Sequence, residues 1–194
     1  MKLKYGLLLL PIIAIVIYLV VIMQPREIHV TVEGLHYRLG TANRDNAQPE
    51  SLTIDGKVTR SWTGKRTFEG TISSAGSTLD LPKNGEAVTV HFDRDGYGPV
   101  VSGGIEHAGT AEAKPFVDTH GILFASDDFS SVTLLLHTKE AGAVESDGGG
   151  WNGDDGFLFA GPATTREEAL AVSNAMMASF LKRLLEDQGG FVLK

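Results

Sequence analysis

Hydrophobic and polar residues alternate along most of the chain after residue 25. In IHVTVEG, for example, Ile28, Val30 and Val32 would lie on one face of a strand and polar residues on the other. The same period recurs in runs separated by turn sequences, which predicts about seven to nine strands that pair mainly antiparallel. These runs are SLTIDGKVTRSW, RTFEGTIS, EAVTVHF, KPFVDTHGILFAS, SSVTLLLHT and GFLFAG.

Residues with turn preference mark the places where the strands should reverse. Asp55-Gly56 predicts a hairpin inside SLTIDGKVTRSW, and Asp95-Gly96 predicts a chain reversal after EAVTVHF. Residues 127–130 should join the strands KPFVDTHGILFAS and SSVTLLLHT. The irregular placement of these turns argues against a repeated architecture such as a propeller.

The end of the chain has the pattern of an amphipathic helix over residues 166–187. Thr165 stands three residues before Glu168, which fits a capping box, and Thr164 with Glu167 offers an alternative register. A Gly-Gly pair after the apolar stripe should end the helix. That stripe needs an apolar partner, and the sheet face is the expected one.

Together these elements predict an α+β domain over residues 26–194. It would consist of a mainly antiparallel, sandwich-like β-sheet closed by the C-terminal helix.

Residues 5–23 form an uninterrupted apolar stretch that follows Lys2 and Lys4. As a helix it would span about 28 Å, close to the hydrocarbon thickness of a bilayer. It is longer than a typical signal-peptide core and has no small-x-small cleavage site, so we expect an uncleaved signal-anchor. The two lysines place residues 1–4 in the cytoplasm. The sequence therefore predicts a single-pass cell-membrane protein, anchored in lipid by this helix, whose C-terminal domain is extracytoplasmic.

The charge and cysteine content narrow the class of partner. The chain has 17 Lys and Arg against 24 Asp and Glu, a formal net charge of −7, which disfavours nucleic acid as a partner. It has no cysteine, which rules out a disulfide framework and a cysteine nucleophile.

Three stretches carry a family resemblance: WTGKRTFEGTIS, DDFSSVTLLL and FLFAGPATTREEALAVSN. They resemble small single-span, outward-facing proteins of unknown function from Gram-positive bacteria. The resemblance covers most of the predicted outward domain and implies a membrane anchor and a β-rich fold closed by a helix. It implies no activity and no catalytic residue.

One candidate ligand site combines two aromatic residues with two cations. Trp62 and Tyr97 could stack on a sugar or anchor a protein partner, and Lys65 and Arg66 could pair with an anionic ligand. The alternative is that Trp62 lies at a sheet margin and the two cations are solvated.

The acidic, glycine-rich loop over residues 145–156 is a candidate calcium site. Asp147, Asp154 and Asp155 supply carboxylate oxygens on a loop with many glycines, but the spacing of an EF-hand is missing. The alternative is an acidic connection between strands that binds no metal. No other cofactor is indicated.

No catalytic motif is present in the sequence. The residues around Ser102 do not form a G-x-S-x-G elbow, and no phosphate-binding glycine loop is found. We therefore expect a non-catalytic binding or accessory module at the cell envelope, with a protein or an envelope component as its partner. The alternative is an envelope-active hydrolase whose residues come from scattered loops.

Overall fold

The computed structural model describes residues 20–21, 23–76, 79, 81–82, 85–107, 109–137, 151, 153–184 and 192–194. Eight strands dominate this part of the chain, and two short helices follow them. The strands are β1 (Arg26–Arg38), β2 (Gln48–Arg60), β3 (Arg66–Ser74), β4 (Val88–His91), β5 (Tyr97–Glu106), β6 (Lys114–Ala125), β7 (Val132–Leu136) and β8 (Phe157–Gly161). The helices are α1 (Arg166–Met176) and α2 (Ala178–Leu184), and a 3-10 turn covers Thr41–Asn43.

The eight strands form a closed antiparallel barrel in which each strand pairs with its neighbours in sequence order. The barrel closes where β1 pairs with β8, with Leu35 opposite Ala160 and Tyr37 opposite Leu158. The prediction of an α+β, sandwich-like sheet is therefore wrong. Alternation predicts strands with one buried face, but it does not distinguish two stacked sheets from one sheet that closes on itself.

The barrel interior is filled by the inward-facing side chains of all eight strands. The interior of an eight-stranded barrel is narrow enough for side chains alone to fill it. Phe129, from the β6–β7 turn, and Leu79 and Leu81, from the β3–β4 connection, complete this interior core. Its strand residues include Ile28, Val32, Leu52, Ile54, Val58, Phe68, Ile72, Val90, Val100, Leu123, Leu134 and Phe159, and Phe92 follows directly after β4.

A second core lies outside the barrel, where the helices cover one side of the wall. Helix α1 contacts β1, β7 and β8. The predicted capping box is confirmed, because the Thr165 hydroxyl accepts the Glu168 N–H and the Glu168 carboxylate accepts the Thr165 N–H. The predicted continuous helix over residues 166–187 is instead broken at the buried Met177, and residues 185–187 lie outside the described residues.

Several strand predictions are confirmed, but the hairpin at Asp55-Gly56 is wrong because β2 runs straight through both residues. Gly56 lies opposite Gly70 of β3. A β-carbon on Gly56 would collide with the carbonyl oxygen of Glu69 and lie 2.6 Å from the Gly70 Cα. Glycine is therefore present here for a close approach of two strands and not for a turn.

The predicted membrane anchor over residues 5–23 is not supported. Among the residues that the structure describes, no helix is long and apolar enough to cross a membrane. This finding contradicts the prediction of a single-pass membrane protein with a signal-anchor. Residues 1–19 and 22 lie outside the described residues. Hydropathy reports that a segment avoids water, and it does not establish an uninterrupted helix of sufficient length.

Candidate functional site

Three arginines lie side by side at one end of the barrel, which we call the arginine end. Arg60, the last residue of β2, is the register partner of Arg66, the first residue of β3. Arg26 begins β1 and lies opposite Val58 of β2. Like charges on directly opposed residues destabilise a sheet. The arrangement therefore needs a negative charge nearby.

Arg66 is buried and is held by the β6–β7 turn. Its Nη2 donates to the carbonyl of Ala125 at 2.9 Å, and its Nη1 donates to the carbonyl of Ser126 at 3.0 Å. Its guanidinium carbon lies 4.5 Å from the centre of the Phe92 ring, within cation–π distance. Arg66 therefore closes the arginine end from inside and holds the turn in place.

The turn itself is tightly built. Phe129 has a positive φ of 59° and no exposed surface, and its ring lies 5.7 Å from the ring of Phe68. The Asp128 carboxylate accepts hydrogen bonds from the hydroxyls of Ser126 and Ser130 at 2.7 and 2.8 Å. These bonds, with that from the Ser130 N–H, lower the pKa of Asp128 to about 2. The turn thus presents the neighbouring Asp127 in a defined position.

Asp127 is the residue on which the three arginines converge, two at its carboxylate and one at its main-chain carbonyl. Its Oδ1 lies 3.1 Å from Arg66 Nη1 and its Oδ2 lies 3.0 Å from Arg60 Nη2. Arg26 Nη2 donates to the main-chain carbonyl of Asp127 at 3.2 Å. Three positive charges therefore surround one negative charge, which leaves an excess of two positive charges among these four side chains.

The excess of positive charge affects the pKa of Arg66. Burial lowers the pKa of Arg66, and repulsion from Arg60 and Arg26 lowers it further, while attraction to Asp127 raises it. Because the cations repel one another, a second anion near them would be favoured.

A surface pocket opens beside these residues with a volume of about 460 Å³. This is within the range of sites that hold small molecules. Two arginines and one aspartate are its charged groups, and aliphatic side chains supply much of the rest. The pocket is lined by Val21, Gln24, Pro25, Arg26, Val58, Arg60 and Asp127.

The four residues predicted as a ligand site do not form one site. Trp62 lies in the β2–β3 turn with 78% of its surface exposed, and Lys65 is exposed beside it. Tyr97 lies on the outer wall, where it packs against Phe124 and Phe180 at 5.0 and 5.3 Å between ring centres. A ligand role for these residues stays a prediction, but the pairing of Trp62 with Tyr97 has no support in these contacts.

The sequence patterns did not indicate a site at Arg26, Arg60 and Asp127. Asp127 reads as an ordinary turn residue, and Arg26 and Arg60 read as solvated strand ends. The available signal was register: a hairpin over residues 61–65 would have put Arg60 opposite Arg66. The contribution of Arg26 and of Asp127 depends on barrel geometry, which local patterns do not contain.

The proposed calcium ligands are only partly described. Asp147 lies outside the described residues, and Asp155 pairs with Arg38 at 2.7 Å between its Oδ2 and Arg38 Nη2. In the part of the chain that the structure describes, no three acidic or histidine side chains are grouped as metal ligands would be. Calcium binding through Asp147, Asp154 and Asp155 stays a prediction.

At the opposite end of the barrel, Ser102 and His120 form a hydrogen-bonded pair. Ser102 Oγ lies 2.8 Å from His120 Nε2 beside a β-bulge in the β5–β6 ladder. Such pairs can activate a serine hydroxyl. Ser102 is only 2% exposed, and among the described residues no carboxylate contacts His120 to orient its ring. The pair therefore has two of the three parts of a triad.

Comparison with known proteins supplies no family for this chain. No protein-family model matches it, and neither the curated proteins nor the solved structures that were compared include a match. The resemblance to single-span Gram-positive proteins stays a prediction.

Proposed function

We propose that this protein is a non-catalytic binding module that takes a small anionic molecule at the arginine end of the barrel. The observation that carries the proposal is the convergence of three arginines on Asp127. Arg60 and Arg66 pair with its carboxylate, and Arg26 donates to its main-chain carbonyl. The excess of two positive charges matches a ligand group with two negative charges, such as a phosphate monoester.

The chemistry of the pocket suits such a group. Arginine presents planar pairs of N–H donors that match phosphate oxygens, and Arg26 and Arg60 both line the pocket. Val58 and Pro25 offer an apolar surface for the uncharged part of the ligand. Arg66 supports the site from behind through Asp127 and the β6–β7 turn.

Isothermal titration calorimetry at low ionic strength tests the proposal, because added salt screens exposed charges. Inorganic phosphate and phenyl phosphate are titrated into the full chain, with an uncharged phenyl glycoside as the comparison. We expect phenyl phosphate to bind more tightly than phosphate and the glycoside not to bind. Arg60→Gln and Arg26→Gln should each weaken phenyl phosphate binding by about tenfold or more, equivalent to ~1.4 kcal/mol.

Arg94→Gln is the matched control, because Arg94 is exposed in the β4–β5 turn and does not line the pocket. It removes the same charge and should leave the affinity within about twofold. Equal losses in Arg94→Gln and Arg60→Gln would show that net charge alone governs binding, and the proposal would then be wrong. The proposal would also be wrong if the folded chain did not bind phosphate.

A second candidate function, hydrolysis by a serine nucleophile, is favoured by the Ser102–His120 hydrogen bond. His120 would accept the Ser102 proton as Oγ attacks an acyl carbonyl and would return it to the departing alcohol or amine. A water would then cleave the acyl-serine and release the acid. Incubation of the folded chain with a fluorophosphonate, followed by peptide mass spectrometry, tests it. Labelling of Ser102 that is lost in His120→Gln would support this function. Absence of label at Ser102 would exclude it.

A further inference from the structure

The β5–β6 hairpin extends beyond the body of the barrel. The β4–β5 ladder ends at Ser102, and the β6–β7 ladder begins at Gly121. Beyond those points residues 103–106 pair with residues 114–117, and no other described strand joins them. We call residues 103–107 and 109–119 the β5–β6 arm. Both of its strand edges therefore present backbone groups without a ladder partner among the described strands.

One face of the β5–β6 arm is apolar and open to solvent. Val117 lies opposite Gly103, and Ile105 lies opposite Pro115, so these side chains share a face. Val117 is 75% exposed and Ile105 is 60% exposed. Neighbouring apolar side chains that stay this exposed are typical of surfaces that another chain covers.

The other face carries charges in a self-complementary order. Lys114, Phe116 and Asp118 alternate along β6, so they point to the same side. Phe116 packs across the strand onto Gly104, where an added β-carbon would lie 2.9 Å from the ring. Lys114 and Asp118 make no ion pair with another residue that the structure describes.

We infer that the free edge of β6 pairs with the same edge of a second copy of this chain. An antiparallel pair centred on Phe116 places Lys114 opposite the partner's Asp118 and Asp118 opposite the partner's Lys114. Phe116 then faces the partner's Phe116, and Val117 faces the partner's Pro115. The contact is isologous, so it closes as a dimer and does not propagate into a fibre.

The proposed register accommodates Pro115, although the carbonyl of the partner's Val117 loses a donor at each of the two symmetry-related positions. Pro115 has no N–H, so it cannot donate to a second strand. In the proposed pair its carbonyl lies opposite the partner's Val117, whose N–H can donate to it. The two charge pairs determine the register, since a shift by two residues would break both of them and a shift by one would reverse the faces.

Charge reversal tests this inference by sedimentation equilibrium of the full chain. The unmodified chain should form dimers. Asp118→Lys and Lys114→Asp should each weaken the dimer by about tenfold or more, because each replaces two attractive pairs by two repulsive ones. An equimolar mixture of the two variants should restore the dimer, since both pairs are then attractive again. The double variant, Lys114→Asp with Asp118→Lys, should also restore it.

Arg94→Asp, a charge reversal in the β4–β5 turn at the other end of the barrel, is the matched control and should leave the dimer unchanged. The inference is overturned if the unmodified chain is monomeric at every concentration. It is also overturned if the mixed variants stay monomeric, or if the control weakens the dimer as strongly. Phenyl phosphate titrations of the same variants keep this result separate from the anion site, because Lys114 and Asp118 lie outside that pocket.

Discussion

Tyr37 Oη donates a hydrogen bond of 2.8 Å to Ser173 Oγ, and both residues are buried between the barrel wall and α1. Thr133 Oγ1 lies 3.3 Å from the same serine oxygen, so β1, β7 and α1 share one polar contact inside an apolar interface. Burial of this group raises the pKa of Tyr37 to about 12. A buried hydroxyl network of this kind fixes how the helix sits on the wall, because any other placement leaves the hydroxyls unpaired.

We expect Ser173→Ala to lower the free energy of unfolding by about 1 kcal/mol. It removes the 2.8 Å hydrogen bond of the buried Tyr37 hydroxyl and leaves only the longer one, 3.4 Å, to the Ala169 carbonyl. Urea unfolding followed by circular dichroism measures this. The double variant with Tyr37→Phe removes both hydroxyls and should lose less stability than the sum of the two single variants. Strict additivity would show that the two hydroxyls do not interact.

Phe129 combines a positive φ with complete burial. For the choice between alanine and glycine at this position the two properties make opposite predictions: burial favours the larger alanine, and the positive φ favours glycine. Phe129→Ala should cost about 3–5 kcal/mol, because the barrel interior loses a ring and gains a cavity. Phe129→Gly loses the same ring, but glycine adopts φ of 59° without strain. We therefore expect Phe129→Gly to be at least as stable as Phe129→Ala. A markedly less stable glycine variant in thermal unfolding would contradict the strain argument.

Asp128 should make folding sensitive to strong acid. Its pKa is lowered from 3.8 to about 2 by the hydroxyls of Ser126 and Ser130 and the Ser130 N–H. Above about pH 4 the group is ionised in both states and its stabilisation is complete. As the pH falls from about 4 to about 2 the unfolded chain gains the proton first, so that stabilisation is lost.

The comparison of the unmodified chain with Asp128→Asn isolates this carboxylate. Urea unfolding at a series of acidic pH values should show a smaller loss of stability in Asp128→Asn than in the unmodified chain. Parallel curves for the two proteins would mean that the Ser126 and Ser130 contacts do not hold the carboxylate in its ionised form.

His36 should make the free energy of unfolding depend on pH closer to neutrality than Asp128 does. Burial lowers its pKa from the usual 6.5, although Glu50 opposes the shift. The imidazole, stacked 5.5 Å from Phe157, is therefore neutral in the folded chain near neutral pH. As the pH falls below about 6.5 the unfolded state binds the proton first, so the free energy of unfolding decreases.

His36→Gln removes this proton linkage. Between about pH 7 and pH 5 the stability of the variant should fall less than that of the unmodified chain. His29→Gln, a substitution of an exposed histidine on the same strand, is the control. An equal effect of His36→Gln and His29→Gln on the pH dependence of the free energy of unfolding would rule out a special role for the half-buried His36 ring.

Features set by neighbouring residues could be read from the chain before its structure was known. The alternation of Ile28, Val30 and Val32 marks a strand with one buried face, and that strand is β1. The Thr165–Glu168 capping box marks the start of α1. Both are correct because the interacting groups lie within a few residues, so the pattern contains the whole cause.

Features that depend on distant residues could not be read in this way. Asp55-Gly56 has turn chemistry, but the approach of β3 at Gly70 makes it a strand interior. The closure of β1 on β8 replaces the predicted sandwich by a barrel, and an apolar run alone did not establish a membrane-spanning helix. Arg26, Arg60 and Arg66 all contact Asp127 because closure brings three strands and a remote turn to the same end. Local composition specifies which residues avoid water, whereas the meeting of charges far apart in the chain is decided by how the strands pair and close.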